Sequence, residues 1–312
     1  MTTEIDLNAG CLAYNELYET KYGLTTQYGY VPSQGAGIAF CVLFALTMAA
    51  HIVQFCWKRT WWCSLFAIGA MGKYLLNIPI RDQSNSLPVE LLGWAGRLWA
   101  AECPYNSTAF MIQICTLIIA PTFFTAGIYV LLGRLIRLFG PESSILTPKL
   151  YLWIFCTCDI ISLVVQAAGG GLASSESGVE GGNTKPGTDT MVAGIIFQLV
   201  SITIFIGFAA DFIRRVSRMG QLKKLTSGTI LPLTGAIVLS VAVIYVRSIY
   251  RAIELVQGWS GFLITHEVYL VAMDGAMMVI AVGVFNIFHP GWLLPNDVEY
   301  HLPKFQPSLE LK

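Results

Sequence analysis

The chain has 312 residues, of which 55% are hydrophobic and 12% are charged, and its formal net charge is zero. Soluble domains have about 25% charged residues, so this composition excludes an ordinary soluble protein. The zero net charge gives no indication of nucleic-acid binding. Residues 1–34 are polar and acidic, without the basic and apolar stretches of a cleavable signal peptide. The first apolar segment is therefore expected to serve also as the targeting signal.

Apolar runs of about 20 residues recur along the chain, and a helix of that length crosses a hydrocarbon core about 30 Å thick. Because the runs do not alternate between polar and apolar residues, they predict an all-α helical bundle and exclude a membrane β-barrel. Residues 61–101 exceed one span and are predicted to contain the second of seven transmembrane helices. The other six are predicted at residues 37–54, 110–132, 151–172, 191–210, 229–250 and 268–288.

The lysine and arginine residues of the loops predict the orientation, because short cytosolic loops are rich in both. One side has only Lys21 and Lys185 in its loops, with Arg97, Arg247 and Arg251 at helix ends. The other side is much more basic and is predicted to be cytosolic. Its residues are Lys58, Arg59, Arg134, Arg137, Lys149, Arg214, Arg215, Arg218, Lys223, Lys224, Lys304 and Lys312.

This orientation divides the chain into three parts. Residues 1–34 are predicted to form an exoplasmic N-terminal segment, residues 35–289 a seven-span membrane domain, and residues 290–312 a cytosolic tail. The assignment requires that residues 61–101 cross the membrane once, since two crossings there would break the alternation of the loops.

Several short strings occur in a fixed order along the chain. They are YVPS at 30–33, ELLGWAGR at 90–97, APTFF at 120–124, DIISL at 159–163, QAAGGG at 166–171, RSIYR at 247–251, DG at 274–275 and HPG at 289–291. Together they resemble the fungal RTA-like family, also called lipid-translocating exporters. The resemblance implies a seven-span protein of the plasma membrane or an internal membrane. It also implies export or translocation of lipids and amphiphiles, such as sphingoid long-chain bases, resistance to toxic amphiphiles, or porphyrin handling.

Residues 73–89 depart from the family pattern, in which Glu90 would follow almost directly after residue 72. The stretch contains Lys, Arg and Asp side chains, and each would cost about 2.5–3.5 kcal/mol at a bilayer centre. One interpretation is an irregular loop that splits the second helix. Another is a span at 61–80 followed by a short re-entrant segment at 90–101. A third, which we favour from the sequence, is a retained intron.

Ionisable side chains inside spans are costly and are candidates for function. Residues three, four or seven apart share one face of a helix. Acidic groups paired with arginines across the bundle would form a polar cavity suited to a cationic amphiphile, whereas the alternative is a set of structural salt bridges. The candidates for the substrate pathway form four stripes, which are Glu90 with Arg97, Asp159 with Gln166, Arg247 with Arg251 and Glu254, and Glu267 with Asp274.

Two cysteines and one asparagine are predicted to lie on the exoplasmic side. Disulfides persist in that environment, so a Cys11–Cys103 bridge is predicted, while the cysteines in or near spans are expected to be free. Asn106 begins a glycosylation sequon, Asn-Ser-Thr, in a very short loop on the same side.

No nucleotide-binding or metal motif is present. The sequence lacks G-x-x-x-x-G-K-[ST], and the four histidines are predicted at different depths, with His51 in the first span and His289 in the cytosol. We therefore expect no catalytic residue, cofactor or metal. A seven-helix sensor of lipid stress, acting through its cytosolic loops, is the alternative function. The basic loop after the fifth predicted span contains Arg214, Arg215, Arg218, Lys223 and Lys224. It is interpreted as a determinant of the topology, or alternatively as the binding site of a cytosolic partner.

Overall fold

The computed structural model describes residues 11, 14–15, 26, 28–58, 89–177, 182–221, 228, 230–259 and 261–294. Within these ranges the chain forms helices and no strands, which confirms the all-α prediction. The atypical segment 73–89 lies outside the described residues, apart from Val89. Lys223, Lys224 and most of the predicted cytosolic tail also lie outside them.

The described helices follow one another in chain order. They are α1 (Gln34–Lys58), α2 (Val89–Glu102), α3 (Ser107–Phe139), α4 (Pro148–Ser177), α5 (Lys185–Arg218) and α6 (Ile230–Val256). The name α7 is used here for three consecutive helical segments, Glu267–Tyr269, the π-helical Leu270–Ala276, and Met277–Ile287. A short α8 (Pro290–Leu293) follows, and a 3₁₀ turn (Pro141–Ser143) joins α3 to α4.

Six of the described helices are long and apolar enough to cross a bilayer, namely α1 and α3 to α7. Each overlaps one of the six apolar runs predicted from sequence. The helix α2 has 14 residues, or about 21 Å at 1.5 Å per residue. The fourth helix was predicted to end at residue 172, just after Gly169–Gly171, but α4 continues to Ser177. At this point α4 lies directly against α5, and Gly169 permits the close approach, because a Cβ atom there would lie 2.6 Å from the Met191 backbone nitrogen.

The helices α1 and α7 run parallel to each other. At one end of the bundle the Ser33 backbone N–H donates to Glu267 Oε1 at 2.8 Å. At the other end Gln54 Nε2 donates to the Asn286 carbonyl oxygen at 2.7 Å. The first of these ends also holds the Cys11–Cys103 disulfide and is called the disulfide end below.

The helix α2 runs antiparallel to α1 and ends at the disulfide end. Its Trp94 ring stacks on Phe40 with centroids 4.1 Å apart, and near its end Leu98 lies beside Gly37. Each of the later helices, α3 to α7, runs antiparallel to the helix before it, as the contacts between neighbouring helices indicate. The start of α1 and the end of α2 therefore share one end of the bundle, while α1 finishes at the opposite end.

Helix–helix contacts are close where glycines face a neighbouring backbone. A Cβ atom added to Gly187 of α5 would lie 2.3 Å from the Ala173 backbone nitrogen of α4. One added to Gly93 of α2 would lie 2.7 Å from Thr116 Oγ1 of α3. Small residues commonly allow such approach between membrane helices. Gly96 of α2 lies similarly close to α3, because a Cβ atom there would lie 3.2 Å from the Ala109 carbonyl oxygen.

The bundle has the polarity expected of a protein surrounded by lipid. Large apolar side chains such as Leu46, Trp153 and Val268 are exposed on the outside of the helices. The interior contains an aromatic and aliphatic core to which all of the helices α1 to α7 contribute. Polar and charged side chains are buried within it as well. These are the side chains that form the candidate site.

Candidate functional site

Arg97 of α2 occupies the centre of a polar network at the disulfide end. Its side chain is fully buried, and Nη2 donates to Glu267 Oε1 at 2.8 Å and to the Tyr30 hydroxyl at 2.9 Å. The guanidinium also lies over the rings of Tyr28 and Tyr30, with Cζ 5.5 and 5.7 Å from the centroids. This network ties the segment that precedes α1 to α2 and α7.

The two tyrosines of this network lie outside the membrane helices, and both act as neutral hydrogen-bonding groups. Burial raises the pKa of each hydroxyl above its ordinary value, more strongly than the nearby Arg97 lowers it. The Tyr28 hydroxyl donates to Gln113 Oε1 of α3 at 2.7 Å. The N-terminal segment thereby makes polar contacts with three helices at this end.

Arg247 of α6 forms a second buried ion pair, with Asp274 in the π-helical part of α7. Its Nη2 atom also donates to the Leu117 carbonyl oxygen of α3 at 2.7 Å. A π-helical turn adds a residue to the helix and often occurs at functional sites. Here it contains the acidic residue that pairs with α6.

Arg251 pairs with Glu254 one turn further along α6, at 2.5 Å. The other carboxylate oxygen of Glu254 accepts from the Tyr250 hydroxyl at 2.9 Å. All three residues, Arg247, Arg251 and Glu254, are buried within the bundle. Arg247 contacts α3 and α7, and apolar residues of α5 pack against this part of α6. The predicted position of the three near the exoplasmic boundary of the membrane stays a prediction.

Glu90 at the start of α2 differs from the other buried acids. Only 5% of its surface is exposed, and neither carboxylate oxygen has a hydrogen-bond partner among the described residues. Its electrostatic neighbours are Arg247, Asp274 and Arg251, but both arginines already pair with another acid. Glu90 therefore remains a surplus carboxylate beside two satisfied ion pairs.

Asp159 of α4 is buried in a different environment. One carboxylate oxygen accepts from the Tyr129 hydroxyl at 3.0 Å and from Thr125 Oγ1 at 3.1 Å, both on α3. No lysine, arginine or histidine forms an ion pair with it in the described part of the chain. The site is thus an acid held by two neutral hydroxyl donors.

Gln166 lies two turns beyond Asp159 on the same face of α4. Its amide nitrogen donates to Ser162 Oγ at 2.6 Å and to Gln198 Oε1 of α5 at 3.1 Å. Ser162 Oγ in turn donates to the Gly194 carbonyl oxygen at 2.8 Å. The stripe predicted on α4 therefore faces α5 at one end and α3 at the other.

A cavity lies between α3, α4, α5 and α6, and Asp159 lies in its wall. The predicted pathway residues meet here in part, because Asp159 and Gln166 line it together with Arg247 and Arg251. Glu90, Arg97, Glu254, Glu267 and Asp274 are not in its lining. The remaining lining residues are Ile118, Pro121, Thr125, Tyr129, Ile195, Gln198, Ile202, Ile244 and Ser248.

Several residues of this site were not predicted from the sequence. Thr125, Tyr129 and Gln198 line the cavity, and Tyr30 and Gln113 belong to the network at the disulfide end. Thr125 and Tyr129 are four residues apart and so share one face of α3, which is a usable signal. Their pairing with Asp159 depends on the packing of α3 against α4, which spacing alone does not give.

The structure contains a disulfide between Cys11 and Cys103, the pair for which a bridge was predicted. Asn106 follows three residues later and caps α3, since its Oδ1 accepts from the Thr108 backbone N–H at 2.9 Å. The sequon therefore begins at a helix cap. Glycosylation at this position remains a prediction.

The histidines are placed differently from the expectation. His51 and His289 are both buried, and their ring centroids are 6.4 Å apart. The prediction of separate depths is wrong for this pair, because α1 and α7 run parallel and finish together. Even so, the described residues contain no group of three or more His, Cys, Asp or Glu side chains that could hold a metal ion.

The basic stretch at the end of α5 is only partly described. Arg214 and Arg218 are exposed, whereas Arg215 pairs with Asp211 one turn earlier at 2.6 Å. Lys223 and Lys224 lie outside the described residues. A cytosolic partner for this stretch remains a prediction.

The sequence was compared with known proteins and protein families. The model of the RTA1-like protein family matches residues 85–297, a range that includes α2 to α7. The chain belongs to the RTA1-like family. No solved structure matches this member of the family.

Named relatives of this RTA1-like protein come from Saccharomyces cerevisiae. The sphingoid long-chain base transporter RSB1 of strain S288c is 31% identical, over 85% of this chain and 73% of the relative. Protoporphyrin uptake protein 1 is 28% identical and Protein RTM1 is 30% identical, each over 83% of this chain and 90% of the relative. These transporter relatives and the six apolar helices identify an integral, multi-pass membrane protein.

Proposed function

We propose that this RTA1-like protein translocates cationic amphiphiles, with sphingoid long-chain bases as the leading substrate class. The observation that carries the proposal is the presence of Asp159 in the wall of the cavity that α3, α4, α5 and α6 enclose. It is a buried acid that neutral hydroxyls hold and that no arginine neutralises among the described residues. A buried carboxylate of this kind is suited to receive an ammonium group, because an ion pair compensates for lost hydration.

The other groups of the cavity suit the rest of such a substrate. A sphingoid base carries a primary ammonium group with hydroxyl groups beside it and one long alkyl chain. Gln166 and Gln198 offer amide groups that bind hydroxyls. Ile118, Ile195 and Ile202 offer apolar surface to the part of the alkyl chain that lies next to the head group.

The names of the relatives support transport of amphiphiles as the class of activity. One relative is named for sphingoid long-chain bases and another for protoporphyrin uptake. Both compounds combine charged groups with a large apolar part. Because Asp159 in the cavity is acidic, it favours the cationic compound of the two, the sphingoid long-chain base, as the substrate of this protein.

We also propose seven crossings, with the N-terminal segment outside and the C-terminus in the cytosol. The positions of Lys58 and Glu102 at opposite ends of the bundle support one net crossing between α1 and the end of α2. The disulfide end would face the exoplasmic side, because disulfides persist in that environment. The family resemblance favours the plasma membrane as the location.

The ion pairs of Arg97, Arg247 and Arg251 have a supporting role in this proposal. Arg97 with Glu267 closes the disulfide end, while Arg247 with Asp274 holds α6 against α7 beside the cavity. Arg247 and Arg251 also present positive charge to the cavity wall. An ammonium group would therefore favour the Asp159 side of the cavity over the α6 side.

The test is a flux measurement on the full chain purified and reconstituted into vesicles. A fluorescent sphingoid base added outside should move to the inner leaflet faster than in protein-free vesicles. A sensor would bind the base without moving it, so saturable binding with no added flux would overturn the transporter and favour the sensor.

A further inference from the structure

Glu90 is a buried carboxyl group for which the described part of the bundle offers neither an ion-pair nor a hydrogen-bond partner. The helices α2, α6 and α7 contain five carboxylates, of which Glu102 is exposed; the other four are Glu90, Glu254, Glu267 and Asp274, and three arginines lie on the same helices. Each arginine pairs with one acid, which leaves Glu90 without a partner.

An isolated negative charge is costly in a low-dielectric interior. Removing an ion from water costs several kcal/mol even after relaxation, and a counter-charge is needed to compensate for it. Glu90 cannot take its counter-charge from Arg247 without releasing Asp274, or from Arg251 without releasing Glu254. Ionised Glu90 would therefore need a positive charge that the described helices do not supply.

We propose that Glu90 binds the ammonium group of the transported amphiphile at a second site, separate from Asp159. The inference rests on the proposed transport function. Asp159 lies on the α3–α4 side of the cavity, whereas Glu90 lies on α2, near the two arginines of the α6 wall. Two acids on different helices near the same arginines would give a cationic head group two successive binding positions.

The ligand class follows from the geometry of the neighbours. Arg247 and Arg251 near Glu90 disfavour a doubly charged cation, because two guanidinium groups would repel it more strongly. Trp94 lies one turn further along α2 and stacks on Phe40 of α1, and these apolar rings suit the alkyl part of an organic cation. A single primary ammonium group with an apolar chain fits these conditions better than a divalent metal ion.

The first test measures binding of sphingosine and of its neutral N-acetyl derivative to the purified full chain. The wild-type protein should prefer the cationic base. Glu90→Gln keeps the size of the side chain but removes its charge, and should weaken sphingosine binding about tenfold while leaving N-acetylsphingosine binding unchanged. Glu90→Asp should restore part of the preference. Unchanged discrimination in Glu90→Gln would overturn the inference.

The matched control is Glu176→Gln, which neutralises an exposed acid on α4 and should change neither affinity. This control separates the role of Glu90 from a general effect of net charge. If wild-type protein shows neither binding nor flux of any sphingoid base, the proposed function itself fails. If wild-type protein transports the base and Glu90→Gln discriminates as before, only the second site fails.

A second measurement uses the wild-type chain and so does not depend on folding of a variant. The apolar reagent dicyclohexylcarbodiimide modifies buried carboxyl groups, and mass spectrometry gives the extent of reaction at Glu90. Sphingosine should protect Glu90 at least several-fold more than N-acetylsphingosine does. Protection by sodium or potassium ions, or equal protection by both lipids, would overturn an ammonium site.

Discussion

Arg97 and Glu267 form an ion pair of 2.8 Å that joins α2 to α7, and no part of the Arg97 side chain is exposed. Glu267 Oε1 also accepts from the Ser33 backbone N–H, so one oxygen atom connects the start of α1 with two other helices. The pair is therefore a structural joint of the disulfide end, where residues 28–33 contact α2, α3 and α7.

Glu267→Gln should destabilise this joint, because it removes the negative charge that balances the buried Arg97 guanidinium. Breaking a buried pair costs about 3–5 kcal/mol, and we expect the lower half of that range because Glu267 is partly exposed. Thermal unfolding in detergent should show a clearly lower midpoint. Glu142→Gln, at an exposed acid in the 3₁₀ turn, is the control, and an equal midpoint in the two variants would contradict the role of the joint.

Asp274→Asn should lower the stability of the protein. Asp274 was predicted from the sequence as a pathway residue, but in the structure it pairs with Arg247. The variant is expected to lose stability, and neutralising both partners in Arg247→Gln with Asp274→Asn should recover part of the loss. Paired residues show coupling energies of about 0.5–3 kcal/mol, and strictly additive unfolding energies would contradict a direct pair.

The Cys11–Cys103 disulfide should stabilise the disulfide end by fixing the N-terminal segment. It links positions 92 residues apart, and loops of that size commonly gain about 2–4 kcal/mol from a bridge. Cys11→Ser should lower the unfolding midpoint, and reducing agent should lower it equally in wild type. Cys115→Ser, at a free and exposed cysteine, should have no such effect. A wild-type midpoint that does not respond to reducing agent would contradict the prediction.

Gly187 should be intolerant of even one added methyl group. A Cβ atom there would lie 2.3 Å from the α4 backbone, whereas one at Gly207 on the same helix has nothing within 4 Å. Overpacking costs about 1–3 kcal/mol, so Gly187→Ala should lower the unfolding midpoint. Gly207→Ala should leave it unchanged or raise it slightly, because alanine favours helix over glycine. Equal midpoints would mean that α4 and α5 do not approach so closely.

The long apolar helices and the buried acids and arginines could be predicted from the sequence, because both follow from local composition. Long apolar runs predict helices in lipid, and charged residues within them were candidates from the start. Which acid meets which arginine could not be predicted, because it depends on helix packing. Arg247 finds its acid on α7 rather than on α2, and spacing within one helix holds no information about that choice.

The same limit explains two errors. The parallel course of α1 and α7 brings His51 and His289 together, although the chain separates them by more than two hundred positions. The end of α4 was predicted too early because glycines usually end helices. In this protein the Gly169 backbone lies against Met191 of α5, so the glycine permits packing instead.

Asp159 provides the most direct test of transport through the cavity. Flux of a sphingoid base should be measured in vesicles that contain wild-type protein, Asp159→Asn or Glu176→Gln, at equal amounts of folded protein. Asparagine keeps the size of the side chain and accepts from Tyr129 and Thr125 but removes the charge. We predict at least a tenfold loss of flux in Asp159→Asn and wild-type flux in Glu176→Gln. Wild-type flux in Asp159→Asn would contradict the proposed pathway.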